Sequence, residues 1–104
     1  MVKELNDSNF EEFIKSKEPV VIDFWADWCM PCKMVAPAFE SLSKELEGKM
    51  GFAKMDIMAN PDIPQKHGVV SIPAFLIFKN GEKIGELHGA MPKSDLKNSL
   101  EEFL

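Results

Sequence analysis

The only two cysteines of this chain, Cys29 and Cys32, stand where an apolar run gives way to a helix-like pattern. Val20-Val21-Ile22-Asp23-Phe24-Trp25-Ala26 is β-branched and aromatic and too apolar to alternate, which predicts a strand covered on both faces. Residues three apart on a helix share a face. The two Cα atoms then fall near the roughly 4.4–6.8 Å that a disulfide requires. A bond closing a loop of about four residues constrains the unfolded chain by only about 2 kcal/mol, against roughly 4.7 for a loop of a hundred. As a staple the pair is weak. It reads instead as a reversible redox dithiol at a strand-to-helix junction.

With 104 residues, 45% of them hydrophobic and only 6 Gly and 7 Pro, residues 1–104 are expected to form one domain that buries an adequate core without metal or staples. The segment Met1 to Asp7 has no apolar stretch of the secretory kind. The longest apolar run, Ile72 to Phe78, is far too short to span a membrane. These readings favour the cytoplasm, where isolated dithiols are usually catalytic rather than structural. Net charge is −5, and all 12 basic residues are lysines. Lacking arginine, the chain lacks the usual bidentate reader of phosphate and guanine, so no nucleic-acid partner is expected.

Asp7 or Ser8 is placed to cap a first helix reaching about Lys15, with Phe10, Phe13 and Ile14 at helical spacing and Pro19 closing the region. A second helix is predicted from about Pro31 to Glu47, stopped by Gly48, with Val35, Ala38, Phe39, Leu42 and Leu46 inward and a kink at Pro37. Met50 to Ile57 reads as a strand and Pro61 to Lys66 as a short helix ending at Gly68. Ile72 to Lys79 is a further strand. Asn80-Gly81 then marks a hairpin whose return, Glu82 to His88, offers Ile84 and Leu87 to the core. Pro92 opens a last helix with Leu96, Leu100 and Phe103 inward. The order is that of an α/β fold with a mixed sheet, parallel across the long crossover and antiparallel at the hairpin.

With these elements in order, the chain resembles the thioredoxin family along nearly its whole length. The segments that carry the resemblance are Val-Ile-Asp-Phe-Trp-Ala (21–26), Trp-Cys-x-Pro-Cys-Lys (28–33), Pro37, Ala-Lys-Met-Asp (53–56) and Asn60-Pro61. Gly68-Val69, Ser-Ile-Pro (71–73), Phe-Lys-Asn-Gly (78–81) and Gly89-Ala90 follow. The resemblance implies a thioredoxin fold, a mixed sheet of four or five strands flanked by four helices, and general dithiol–disulfide exchange. It further implies protein disulfides as substrates and a separate thioredoxin reductase as electron source. No bound cofactor is needed, because the Cys29–Cys32 pair holds the electrons. Monomer is the default state of a small exchange protein. One departure stands out: Met30 occupies a position where the family usually has glycine. Residues between the cysteines tune thiol acidity and potential, so the poise of the pair is open.

Cys29, at the start of the second helix, is the expected attacking thiol, since unpaired N–H groups and the helix dipole favour an anion there. Cys32 would resolve the mixed disulfide. The alternative is a zinc site, but His67 and His88 lie 35 and 56 residues beyond Cys32, outside finger spacing. No metal is expected. Asp23, buried in an apolar strand, would have a raised pKa and pass protons near neutrality; otherwise it lies at a solvated strand end. The resemblance makes it the proton acceptor of the second cysteine, with Lys54 tempering it, although Lys54 also suits an ordinary surface lysine. By the same resemblance the Ile72-Pro73 bond is cis and packs against the dithiol, and the Ile72 backbone pairs with an extended substrate segment. Trp28, Met30, Pro31, Gly89 and Ala90 complete the substrate surface, with Ile57 nearby; Ile57 and Ala90 equally suit plain packing. Trp25 reads as core, Met30 as the one exposed methionine, and His67 and His88 as surface or turn residues. Two other functions fit the same fold: a thiol oxidant or isomerase, and a docking subunit of a larger enzyme.

Overall fold

Val20–Trp25 pairs in parallel with Gly51–Asp56, and the 16-residue helix between them is the crossover that such a pair requires. The computed structural model describes residues 1–104. In chain order the elements are β1 (Val2–Leu5), α1 (Phe10–Ile14), β2 (Val20–Trp25), α2 (Met30–Glu45), β3 (Gly51–Asp56), α3 (Asp62–Lys66), β4 (Ala74–Lys79), β5 (Glu82–His88) and α4 (Lys93–Glu101). The five strands form one sheet in the order β1-β3-β2-β4-β5, with β1, β3 and β2 parallel and β4 and β5 antiparallel to their neighbours. This is the α/β thioredoxin fold, a five-stranded mixed sheet with four helices.

Alternation along the strands divides the core into two layers. Ile22 and Phe24 of β2, Ala53 and Met55 of β3, and Leu76 and Phe78 of β4 pack with Phe10 and Ile14 of α1 and Ile63 of α3. Val21, Phe52, Phe75 and Ile77 point the other way, onto Val35, Phe39 and Leu42 of α2 and Leu96 and Leu100 of α4. Both faces of β2 are covered, as its unalternating sequence requires. No helix is long and apolar enough to cross a membrane.

Several local expectations are corrected. Periodicity gave no sign of β1, whose four residues are mostly exposed; it is held as an edge strand by its pairing with β3. Helix α1 is capped at Asn9, not Asp7 or Ser8. Asn6 orders that turn instead: its Oδ1 accepts the N–H groups of Ser8 and Asn9, while Asn9 Oδ1 accepts the N–H of Asn6. Helix α2 ends at Glu45, and Gly48 turns the chain with φ +85°, a left-handed value that favours glycine. Pro37 stands inside α2, which continues past it. Asn80 and Gly81 both have positive φ (53° and 84°), as a tight hairpin demands.

Ile84 does not reach the core. Ile77 pairs with Gly85 and Phe78 with Lys83, so Ile84 is the extra residue of a β-bulge and stays exposed. Leu87, beyond the bulge, does pack against the α2–α4 layer. The Phe103 ring lies directly over Gly85, in space that a Cβ would fill. Gly85→Ala is therefore expected to cost about 1 kcal/mol, the low end for overpacking, because the Phe103 ring is only partly buried and can turn aside. In a Phe103→Ala background that cost should vanish. Denaturant midpoints of the two single variants and the double variant test this coupling.

Candidate active site

Every reactive group lies at the end of the sheet where β2 and β3 finish. Cys29 is the N-cap of α2, and Pro31 stands in its first turn, where its missing N–H costs nothing. The cap is made by sulfur: the Cys32 N–H donates to Cys29 Sγ at 3.2 Å. Cys29 and Cys32 are joined as a disulfide with Cα atoms 5.3 Å apart, inside the range inferred from their spacing. Both are buried in this state, Cys29 at 5% exposure and Cys32 at 2%. Ala26, Trp25, Ile57 and Ile72 pack around the pair.

The Ile72-Pro73 bond is cis. The loop that carries it is tied to the turn after β5 by the Gly89 N–H, which donates to the Pro73 carbonyl at 2.9 Å. Trp28 (64% exposed) and Met30 (65%) stand open beside the disulfide, and Pro31 and Ala90 are also exposed. Gly89, Ile72 and Ile57 are half-buried. Ile57 and Ile72 thus lie against the dithiol, and Gly89 is bonded to the loop that carries the cis-proline.

Asp23 sits behind that face. Strand alternation aims it to the same side as Val21, toward α2, and the β2–β3 register sets Lys54 directly beside it. Asp23, Trp25, Cys32, Lys33, Ala36 and Lys54 line a cavity of about 140 Å³. Asp23 is 4% exposed, and its Oδ1 has no hydrogen-bond partner. Burial pushes its carboxyl from an ordinary 3.8 up to about 7, and the Lys54 ammonium pulls against that rise without cancelling it. Lys54 is itself held over Trp25, its Nζ 5.6 Å from the ring centroid. The solvated-strand-end reading of Asp23 is overturned, as is the surface-lysine reading of Lys54.

Trp25, read as core, is a wall of this cavity, with its indole Nε1 buried and unpartnered. Sequence reasoning missed Lys33 and Ala36 as wall residues; Ala36 stands four residues beyond Cys32, and Lys33 four beyond Cys29 and three before Ala36, and that spacing is the signal that could have found them. Lys33 otherwise faces Asp27 at 4.0 Å on the surface. His67 stands in the turn that ends α3, as expected, but it is not on the open surface. It lies half-buried with its ring 5.3 Å from Phe10 and 5.5 Å from Phe78, and burial holds its pKa below the usual histidine value. Methionines other than Met30 are also exposed, among them Met34 and Met58.

Comparison with known proteins agrees with this geometry. The family model described as Thioredoxin matches residues 1–102. A thioredoxin of Rickettsia bellii is 46% identical over 97 residues, covering 92% of each chain. A thioredoxin of Synechocystis is 40% identical over 102 residues, 97% of this chain and 95% of that one. The chloroplastic M-type thioredoxin of Spinacia oleracea is 44% identical over 104 residues, and there the chain spans only 58% of the relative's length. Among solved structures, the thioredoxin of Malassezia sympodialis (Mala s 13) superposes with a TM-score of 0.91 at 38% identity, over 98% of this chain and 92% of that one. With a disulfide closing the Cys-Met-Pro-Cys motif at the head of α2 and homology along its whole length, this chain belongs to the thioredoxin family of thiol–disulfide oxidoreductases.

Proposed function

We propose that this protein is a monomeric dithiol electron carrier of the cytoplasm, reducing protein disulfides through Cys29 and Cys32 and recharged by a separate thioredoxin reductase. The observation that carries the reading is the shared cavity: a carboxyl whose pKa is raised to about 7 opens onto the same space as the inner cysteine. In the reduced protein, Cys29 lies at the N-terminus of a 16-residue helix, where the dipole and free N–H groups stabilise a thiolate. That thiolate attacks a substrate disulfide, forming a mixed disulfide and releasing the first substrate sulfur as a thiolate. Asp23 takes the proton of Cys32, directly or through a water in the cavity, with Lys54 keeping part of it ionised and so able to accept one. The Cys32 thiolate attacks Cys29 Sγ and expels the second substrate sulfur. Two electrons have then passed to the substrate, and the protein holds the disulfide seen here. No bound cofactor takes part. Trp28, Met30, Pro31, Gly89 and Ala90 bear against the substrate, and the Ile72 backbone pairs with its extended chain.

Three variants separate these roles in an insulin-type disulfide reduction assay. Cys29→Ser is expected to abolish reduction, and Cys32→Ser to accumulate a mixed disulfide that mass spectrometry detects. Asp23→Asn should slow resolution about 10- to 100-fold, the weak end of general acid–base catalysis, since water in the cavity partly replaces the carboxylate. Retained turnover in Cys29→Ser removes the reading altogether. A measured potential near −180 mV, in place of about −270 mV, moves the protein to the isomerase side of the same fold.

Burial of Asp23 also has a stability signature. The folded state holds the proton up to about pH 7, whereas the unfolded chain releases it near 3.8. Between those values the native state binds more protons, so stability falls as pH rises. At about 1.36 kcal/mol per pH unit, the ionised carboxyl lowers stability by about 4 kcal/mol above pH 7. Asp23→Asn is expected to recover about that much when guanidinium unfolding is measured near pH 8, and almost nothing near pH 3. Equal gains at both pH values are incompatible with a raised Asp23 pKa.

A further inference from the structure

The sulfur atoms of this protein divide sharply by exposure. Cys29 and Cys32 are joined and buried, at 5% and 2%, and Met50 and Met55 lie in the core at 4% and 0%. Met30, between the two cysteines in the chain, is 65% exposed. Met34, one helical turn further along the same face of α2, is 74% exposed. Once the disulfide has closed, the sulfur left open to a dissolved oxidant beside the reacting pair is therefore a thioether. Oxidation of a thioether adds one oxygen and turns a flexible apolar side chain into a polar one. At Met30 that change falls next to the attacking sulfur, where the side chain supplies apolar area and little else.

We propose that Met30 is an oxidation site, converted to the sulfoxide by peroxide when oxidant outruns the supply of reductant, and that the sulfoxide lowers exchange activity. The proposal rests on the reductase reading above and adds a control to it. In the reduced protein the Cys29 thiolate meets peroxide first, since it is the stronger nucleophile. Cys29 becomes a sulfenic acid with release of hydroxide, and Cys32 then closes the disulfide with loss of water. One peroxide is consumed, the dithiol gives up two electrons, and the reductase restores it. While that cycle keeps pace, Met30 is spared. When the disulfide persists, no thiolate competes. A further peroxide then transfers one oxygen to the Met30 sulfur: the thioether is oxidised to a sulfoxide and the peroxide is reduced to water. Methionine sulfoxide reductases reverse this step. A substrate that covers the sulfoxide loses an apolar contact and must desolvate a polar group in its place.

The test treats the disulfide form with hydrogen peroxide, removes the peroxide with catalase, and follows the gain of one oxygen at each methionine by peptide mass spectrometry. Met30 sulfoxide is expected to form about 10-fold faster, or more, than sulfoxide at the buried Met50 and Met55. Starting from the reduced protein, it should appear only after the disulfide has closed. In the insulin-type assay each sample is compared with itself before peroxide, so a change in basal rate does not enter. For the intact protein, kcat/KM should fall about 5-fold, the change for losing partial burial of a methionine side chain. Methionine sulfoxide reductases of both stereospecificities, supplied with dithiothreitol, should restore it. Met30→Leu, which keeps the apolar bulk without the sulfur, should stay within about 2-fold of its own starting value. Met30 oxidation no faster than that of Met50 and Met55, or a complete Met30 sulfoxide with kcat/KM unchanged, overturns the proposal and leaves the reductase reading intact. So does a loss in Met30→Leu equal to that of the intact protein, or Met30 sulfoxide formed while both cysteines are still thiols. No insulin reduction before any peroxide is added overturns the reductase reading, and the proposal falls with it.

Discussion

The parallel pairing of β2 with β3 is the constraint on which the rest of this structure depends. Parallel neighbours cannot be joined by a tight turn, so the chain must leave the end of β2, cross the sheet as a helix and return. The helix that makes this crossing starts where β2 stops. Its N-terminus, with its unpaired N–H groups, is thereby fixed beside the last residues of two strands. Cys29 caps that terminus, and Cys32 lies one turn inward, above the β2 face that carries Asp23. The same pairing sets Lys54 beside Asp23 at a fixed register. Dithiol, buried carboxyl and tempering lysine are thus consequences of one topological choice.

That choice has an energetic cost, and it falls on Asp23. A carboxyl at this place in an apolar strand opposes folding whenever it is ionised, and nothing donates a hydrogen bond to its Oδ1. Lys54 offsets only part of the penalty. Its Nζ forms no close ion pair with the carboxylate and leans over Trp25, so the pKa stays near neutrality and does not drop to an ordinary carboxylate value. A tight salt bridge would have given a more stable protein with a carboxylate too weakly basic to accept a thiol proton. The structure lies between those limits, where proton transfer near neutral pH is easiest.

Much of this was legible in the sequence, and the exceptions have physical causes. The unalternating run of β2, the apolar face of α2 and the Asn80-Gly81 hairpin were readable because each carries a local signal, whether periodicity or turn chemistry. The cysteine pair was readable from its spacing alone. The first strand was not, because Val2–Leu5 derives its structure from pairing with β3 and only Leu5 is fully buried. Ile84 was misplaced because a bulge depends on cross-strand register, which composition does not encode. The burial of His67 in its turn was missed for a related reason: its aromatic partners Phe10 and Phe78 are distant in sequence and meet only when α1 and β4 pack. Trp25 could be read as core or cavity wall until the position of Lys54 was known.

The surface around the disulfide is of a kind that suits a reductase acting on varied protein disulfides. Its exposed members, Trp28, Met30, Met34 and Ala90, offer apolar area and few fixed hydrogen-bond groups, so little in a substrate's side-chain polarity is specifically rewarded. On the function proposed above, recognition rests on features that most extended segments share: a backbone able to pair beside Ile72 and a sulfur able to reach Cys29. Met30, exposed beside Cys29, and Met34, one turn on, enlarge this apolar face along α2. On that reading a substrate is not excluded for lacking an apolar side chain, because the shared backbone and sulfur contacts suffice for reaction.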